Sequence, residues 1–303
     1  MSEWKIIDYI KQKNEISRPR ARLHLGPGDD CAIVNRLDSK YQEIITQDML
    51  LDGVHFLANE AGPELVANKC LGVNISDIAA MGGTPEHLSL GICTSRNLPA
   101  SFTQKFIDEL FRLCKEYNIA VSGGDTNIWD GPLVITICLS GSVLKNRAIT
   151  RSGAVIGDNI YVSGPLGYSL ASGSHLNFKP RLKLGQDLMR ENLASSMIDL
   201  SDGLAGDLRH ILKASNVGAR LERSLIPLAA WGEKFSKQDR IYAALCHGED
   251  FELCFTANPA YHETIMKLHT SPKISKIGEV TTPEYGLHWA DGSSIEESGY
   301  QHC

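Results

Sequence analysis

The chain has 303 residues, 43% hydrophobic and 22% charged, with a formal net charge of −6, a length that suits two domains and a core large enough to need no staples. The acidic balance excludes nucleic acid as the main partner, because binding a phosphate backbone needs clustered Lys and Arg. No apolar run reaches the roughly 18 residues of a membrane span, and residues 1–5 lack the basic-then-apolar pattern of a secretion signal, so a cytoplasmic protein without membrane partners is expected.

Residues 1–20 read as a short helix and the start of a basic connector that carries Arg18, Arg20 and Arg22. A tight acidic turn follows at Gly26-Pro27-Gly28-Asp29-Asp30, then strands over residues 32–34 and 42–46. The spacing predicts a long helix over 63–81, with Pro63 in its first turn and Gly82-Gly83 at its end. A buried strand is expected at 88–94 and an amphipathic helix at 101–118. Residues 119–121 read as a strand running into a glycine-rich turn at 122–126, and 133–143 as a further strand. A domain boundary is placed at 148/149, giving domains 1–148 and 149–303. Beyond it come a strand and turn at 159–164, helices at 182–194 and 203–214, a strand at 251–256 and a helix at 261–268. Alternating strands and helices in both halves give an α/β (α+β) class, with the strand order unreadable. None of the eight cysteines forms a C-x-x-C pair, so buried free thiols are expected.

The chemistry lies in aspartates that recur beside Gly, Ser or Thr at predicted element ends: Asp29, Asp30, Asp48, Asp77, Asp125, Asp199 and Asp202. Any one of them reads as a cap or turn residue, but turn chemistry does not need so many carboxylates next to apolar segments. Asp77 is the sharpest case. It sits inside the apolar run 71–81, shares a helix face with Asn74, and has Lys69 nearby on the same helix. A carboxylate there costs several kcal/mol, on the order of what any unpaired buried charge costs, unless it is paired or binds a cation. All-oxygen ligands select hard ions such as Mg²⁺, and magnesium held by a few carboxylates points to a nucleotide polyphosphate. No Walker A pattern, complete G-x-G-x-x-G after a strand, or protein-kinase motif set is present. Any ATP site must therefore use another design.

Eight blocks carry a resemblance: Gly26–Ala32, Thr46–Leu50, Gly53-Val54-His55-Phe56, Val73–Gly82, Gly123-Gly124-Asp125-Thr126, Arg151–Ala154, Ile198–Leu204 and Gly248–Leu253. In this order, and over nearly the whole chain, they are similar to the thiamine-monophosphate kinase family of the aminoimidazole ribonucleotide synthetase-like superfamily. The resemblance implies an N-terminal α/β domain whose sheet dimerises into a barrel-like core, and a C-terminal α/β domain packed on it. It implies ATP and several Mg²⁺ in the cleft, a homodimer, and phosphorylation of thiamine monophosphate. By motif match it assigns Asp30, Thr46, Asp48, Asp77, Asp125, Asp199 and Asp202 to metal. Gly124, Asp125, Arg151 and Ser201 fall to ATP, and His55, Glu249 and Tyr300 to thiamine; Asp29 matches the same motif as Asp30. No general base or covalent nucleophile is expected. The chain departs from the family at Gln47, at His247 and at the terminal Cys303. Another ATP-using enzyme of the superfamily stays open: the hydrogenase-maturation dehydratase type, to which the Cys303 ending points, or the selenophosphate synthetase type, although no reactive Cys near a glycine-rich N-terminus is evident. A non-catalytic nucleotide-binding homologue is the other alternative.

Overall fold

The computed structural model describes residues 9–10, 12–13, 22–37, 39–268, 271, 273–296 and 299–300. The expected N-terminal helix and connector lie mostly, and Cys303 entirely, outside the described residues.

The first half builds a six-stranded mixed sheet from β1 (Leu23–Leu25), β2 (Ala32–Asn35), β3 (Tyr41–Leu51), β4 (Thr84–Ser95), β5 (Ala120–Trp129) and β6 (Val134–Leu144), in the order β1-β2-β3-β6-β4-β5. Its long strands alternate: β6 buries Ile135, Ile137, Leu139 and Val143 and leaves the residues between them less buried. The buried face is covered by α2 (Pro63–Ala80), which follows the single-turn helix α1 (Ala58–Ala61), and by α3 (Ala100–Glu116). β1 and β5 stand at the two ends of this strand order.

The two long helices differ in the way their sequences require. α3 buries one stripe, Phe102, Phe106, Leu110 and Leu113, as expected for a helix on a sheet. α2 is buried almost all round because it lies between two layers: the first sheet on one side, and α5 (Leu182–Arg190) and β8 (Ser196–Asp199) on the other. The close approach to α5 needs Gly185, where a Cβ would sit 2.0 Å from the Ala79 carbonyl oxygen.

The second half forms another six-stranded sheet from β7 (Asn159–Ser163), β8, β9 (Gly218–Leu221), β10 (Leu253–Ala257), β11 (Ile274–Thr281) and β12 (Leu287–Trp289), in the order β12-β9-β11-β7-β10-β8. Strands β7, β8 and β10 are buried on both faces. Tyr161, Met197 and Phe255 join the core shared with α2 and α5, while Ile160, Val162 and Ile198 face α6 (Leu204–Ser215) and α7 (Lys237–Cys246) on the other side. This half also carries two short helices, α4 (Ser169–Ser172) and α8 (His262–Met266).

One expected turn is a strand. Residues 122–126 continue β5, which pairs parallel with β4 as far as Trp129. Gly124 serves close pairing rather than reversal, because a Cβ there would lie 1.9 Å from the Leu90 oxygen. The helix predicted to run to 194 stops at Arg190, where Asn192 takes a left-handed φ of 55°. Among the described residues no helix is long and apolar enough to cross a membrane.

Candidate active site

Five segments converge where α2 meets the second half. The turn before β2 supplies Asp29 and Asp30, β3 supplies Thr46 and Asp48, and α2 supplies Asp77. The end of β8 supplies Asp199, and the connection between the two sheets supplies Arg151. Oxygens of Asp30, Asp77 and Asp199 all lie within 4.8 Å of one another. Thr46 Oγ1 donates to Asp77 Oδ2, and Ser76 Oγ donates to Asp199 Oδ2 at 2.6 Å. Arg151 Nη2 donates to Asp30 Oδ1 at 2.7 Å, and its backbone N–H donates to the Asp29 carboxylate at 3.1 Å.

This crowding of acids is held against electrostatics. Burial pushes the Asp77 carboxyl well above the usual range, and repulsion from Asp48, Asp199 and Asp30 adds to it. Burial and then Asp30 push Asp199 up to about 8. Asp29 rises to about 7 through burial and Asp30, and Asp48 to about 6 through burial, eased by its hydrogen bond with Asp77. Arg151 is raised: burial opposes its charge, and Asp30 and Asp29 outweigh burial. One guanidinium does not balance this many acids. Buried Asp30 Oδ2, Asp48 Oδ2 and Asn74 Oδ1 also have no hydrogen-bond partner. Orphaned buried acceptors of this kind need a donor or a cation, and an all-oxygen set suits a hard divalent ion such as Mg²⁺. The residues fit that ion.

Beside the cluster opens a cavity of about 430 Å³, lined among others by Asp48, His55, Lys69, Arg151, Asp202 and Glu249. His55 Nδ1 accepts from the Leu51 N–H at 3.0 Å, which places the proton of the neutral ring on Nε2. Glu249 arrives on a strained loop. It has φ 62° and Phe251 has φ 47°, both left-handed without being glycine. The loop is pinned by Glu249 N–H to the Ser201 carbonyl at 2.7 Å and Phe251 N–H to the Leu200 carbonyl at 2.8 Å. Asp250 turns away from the cavity and accepts from the Gly167 N–H at 3.0 Å and from Ser169 Oγ. Lys69, 0% exposed on α2, donates to the His55 carbonyl at 2.7 Å and pairs with the Glu249 carboxylate. Burial lowers its pKa, and Glu249 works against that.

Most of the expected site residues therefore meet. Asp30, Thr46, Asp48, Asp77 and Asp199 form the acidic cluster. His55, Arg151, Ser201, Asp202, Glu249 and Tyr300 line the cavity, with the Tyr300 N–H donating to the Asp202 carbonyl at 2.8 Å. Gly124 and Asp125 do not join them within one chain. They stand exposed on the edge strand β5, do not line the cavity, and the Asp125 carboxylate accepts from its neighbour's Thr126 N–H at 2.9 Å. Among the cavity residues without an assignment from the sequence are two charged ones, Lys69 and Asp207. Lys69 gave one signal, a lone cation inside an apolar helix. Asp207 gave another, an acid in the first turn of α6; it is buried, and its Oδ2 accepts from the Asp202 N–H at 3.0 Å.

Residues 28–143 match the family of AIR synthase related protein, N-terminal domain, and residues 155–290 match AIR synthase related protein, C-terminal domain. The chain is 37% identical to a thiamine-monophosphate kinase of Escherichia coli (strain K12), over 95% of this chain and 95% of that one. A solved thiamine-monophosphate kinase from Stenotrophomonas maltophilia K279a superposes with a TM-score of 0.76 at 31% identity, covering 94% of this chain and 96% of that chain. A solved complex of AaThiL with AMPPCP and TMP superposes with a TM-score of 0.81 at 28% identity, covering 100% of this chain and 97% of that chain.

Proposed function

Because this chain belongs to the thiamine-monophosphate kinase family, we propose that it transfers the γ-phosphoryl group of ATP to thiamine monophosphate, giving thiamine diphosphate in the last step of that cofactor's biosynthesis. The observation that carries this reading is the buried Asp30–Asp77–Asp199 cluster opening onto a cavity that also holds His55 and Glu249. The AaThiL complex with AMPPCP and TMP supports the same pair of substrates.

The chemistry asks little of the protein beyond placement. The nucleophile is an oxygen of the substrate's own phosphate, whose second pKa is about 6, so it is largely dianionic at neutral pH and needs no general base. Asp30, Thr46, Asp48, Asp77, Asp199 and Asp202 would hold Mg²⁺, which when bound supplies positive charge against the two converging polyanions. Arg151 offers a fork of donors to phosphate oxygens, and Ser201 joins it in lining the cavity. His55 and Glu249 orient the thiamine end, with Tyr300 at the cavity wall. Transfer is direct and in line.

The protein acts as a cytoplasmic homodimer, with domains 1–148 and 149–303. The exposed edge strand β5, with Ile128 61% and Trp129 44% exposed, is the surface a second copy would cover. That assembly would close the two sheets into a barrel-like core and give Gly124 and Asp125 a nucleotide to meet. Incubation with γ-labelled ATP and thiamine monophosphate tests the reaction: labelled thiamine diphosphate is expected. A stable labelled protein that forms and decays at the turnover rate would refute direct transfer.

A further inference from the structure

We infer that Lys69 is a positioning residue for the vitamin ester: one ammonium, reaching from α2, clamps both groups that face thiamine, so the acceptor pocket exists only while the two halves of the chain are docked. The inference rests on the kinase reading above.

Lys69 is the one lysine among the described residues that is fully buried. A buried ammonium is costly unless it is paired, and its partners here are not neighbours on the helix. One is the backbone carbonyl of His55, at 2.7 Å. The other is the carboxylate of Glu249, which lies 180 residues further along the chain. A lysine that served only to fill the core would not need to join two residues on the wall of one cavity.

The loop that carries Glu249 strengthens the case. Non-glycine residues at φ 62° and 47° are strained, and persist only where their surroundings over-determine them. Backbone bonds to Ser201 and Leu200 and the anchoring of Asp250 fix the path of the loop. They leave the Glu249 side chain able to turn about its own bonds. Lys69 removes that freedom by engaging Oε2, which leaves Oε1 as the acceptor for a donor on the ligand. The same ammonium holds the backbone of His55, so the two contacts are set together. The ligand feature this arrangement fits is an N–H donor that meets Oε1.

The test is Lys69→Met, which nearly keeps the length of the side chain and removes its charge. The expected result is a KM for thiamine monophosphate at least tenfold higher, with the KM for ATP within twofold and kcat within threefold of wild type. Calorimetric binding of thiamine monophosphate alone should weaken by the same factor. In combination with Glu249→Gln the losses should not add, because both changes break one contact. An unchanged KM in a folded Lys69→Met protein, or additive losses, would overturn the assignment. Should the variant not fold, wild-type protein labelled with ¹⁵N-lysine decides. Its slowly exchanging ammonium resonance should shift on addition of thiamine monophosphate and not of an ATP analogue, and a resonance indifferent to the vitamin ester overturns the role. Absence of wild-type turnover sinks the kinase reading itself, whereas turnover with an unaltered variant KM sinks only the role of Lys69.

Discussion

Replacing Asp77 by Asn separates the two demands that meet on this carboxylate. In the metal-free protein Asp77 is a liability. Its oxygens lie within 4.8 Å of those of Asp30 and Asp199, a separation at which two ionised carboxylates repel by about 3.5 kcal/mol at an effective dielectric near 20. The site escapes most of that by holding protons, which is why burial and its acidic neighbours push Asp77 so far up. The Asp77→Asn change would remove what remains, on the order of 1 kcal/mol, or about 2 °C in melting temperature for a chain of this length. With metal the sign reverses. Mg²⁺ at a hundredfold excess over Kd stabilises the folded state by about 2.7 kcal/mol, and a site weakened a hundredfold keeps only about 0.4 kcal/mol. Loss of a preorganised charge of this kind also lowers kcat by about 10²–10³. Thermal melts with EDTA and with Mg²⁺, run beside turnover assays, read all three effects. An Asp77→Asn protein that gains as much stability from Mg²⁺ as wild type, or turns over within tenfold of it, would refute the reasoning.

Two further outcomes follow from the same structure. Asp199 titrates at about 8 and Asp48 at about 6, against 3.8 for the ordinary group; the folded metal-free protein therefore keeps protons that the unfolded chain has lost between about pH 4 and 8. Its stability is fully present at the acid end of that window and declines as pH rises through those values. Melting points of the EDTA-treated protein should fall from about pH 5 to 8, while the stabilisation given by Mg²⁺ grows; a metal-free midpoint that climbs with pH contradicts the assignment. Gly185→Ala sets a methyl 2.0 Å from the Ala79 oxygen and should cost about 1–3 kcal/mol, read as a lower denaturation midpoint; an unaltered midpoint would show that α2 and α5 part easily.

Much of this site was legible because its residues break local rules. Asp77 stands out as a charge inside an apolar helix bounded by Pro63 and Gly82, and that helix was placed to within a residue of its observed span, Pro63–Ala80. What stayed hidden depends on contacts distant in sequence. Lys69 shows its charge, but its partner across 180 residues leaves no local trace. Strands such as β8, β9 and β12 have three or four residues each, and β8 is buried on both faces, so neither length nor alternation marks them. Gly123-Gly124 were misread as a turn because close strand pairing and chain reversal both favour glycine, and only the Leu90 backbone beside Gly124 distinguishes them. Asp125, expected among the metal ligands, lies on the exposed edge strand β5, and what faces it there is a question of assembly rather than of one chain's sequence.

The most direct test offers the purified protein ATP·Mg with thiamine monophosphate, thiamine and other phosphorylated acceptors side by side. Thiamine diphosphate should form from thiamine monophosphate, stop on chelation of the metal, and have no counterpart with the other acceptors. Equal or faster phosphorylation of unesterified thiamine, or ATP bound without turnover on any acceptor, would contradict the account.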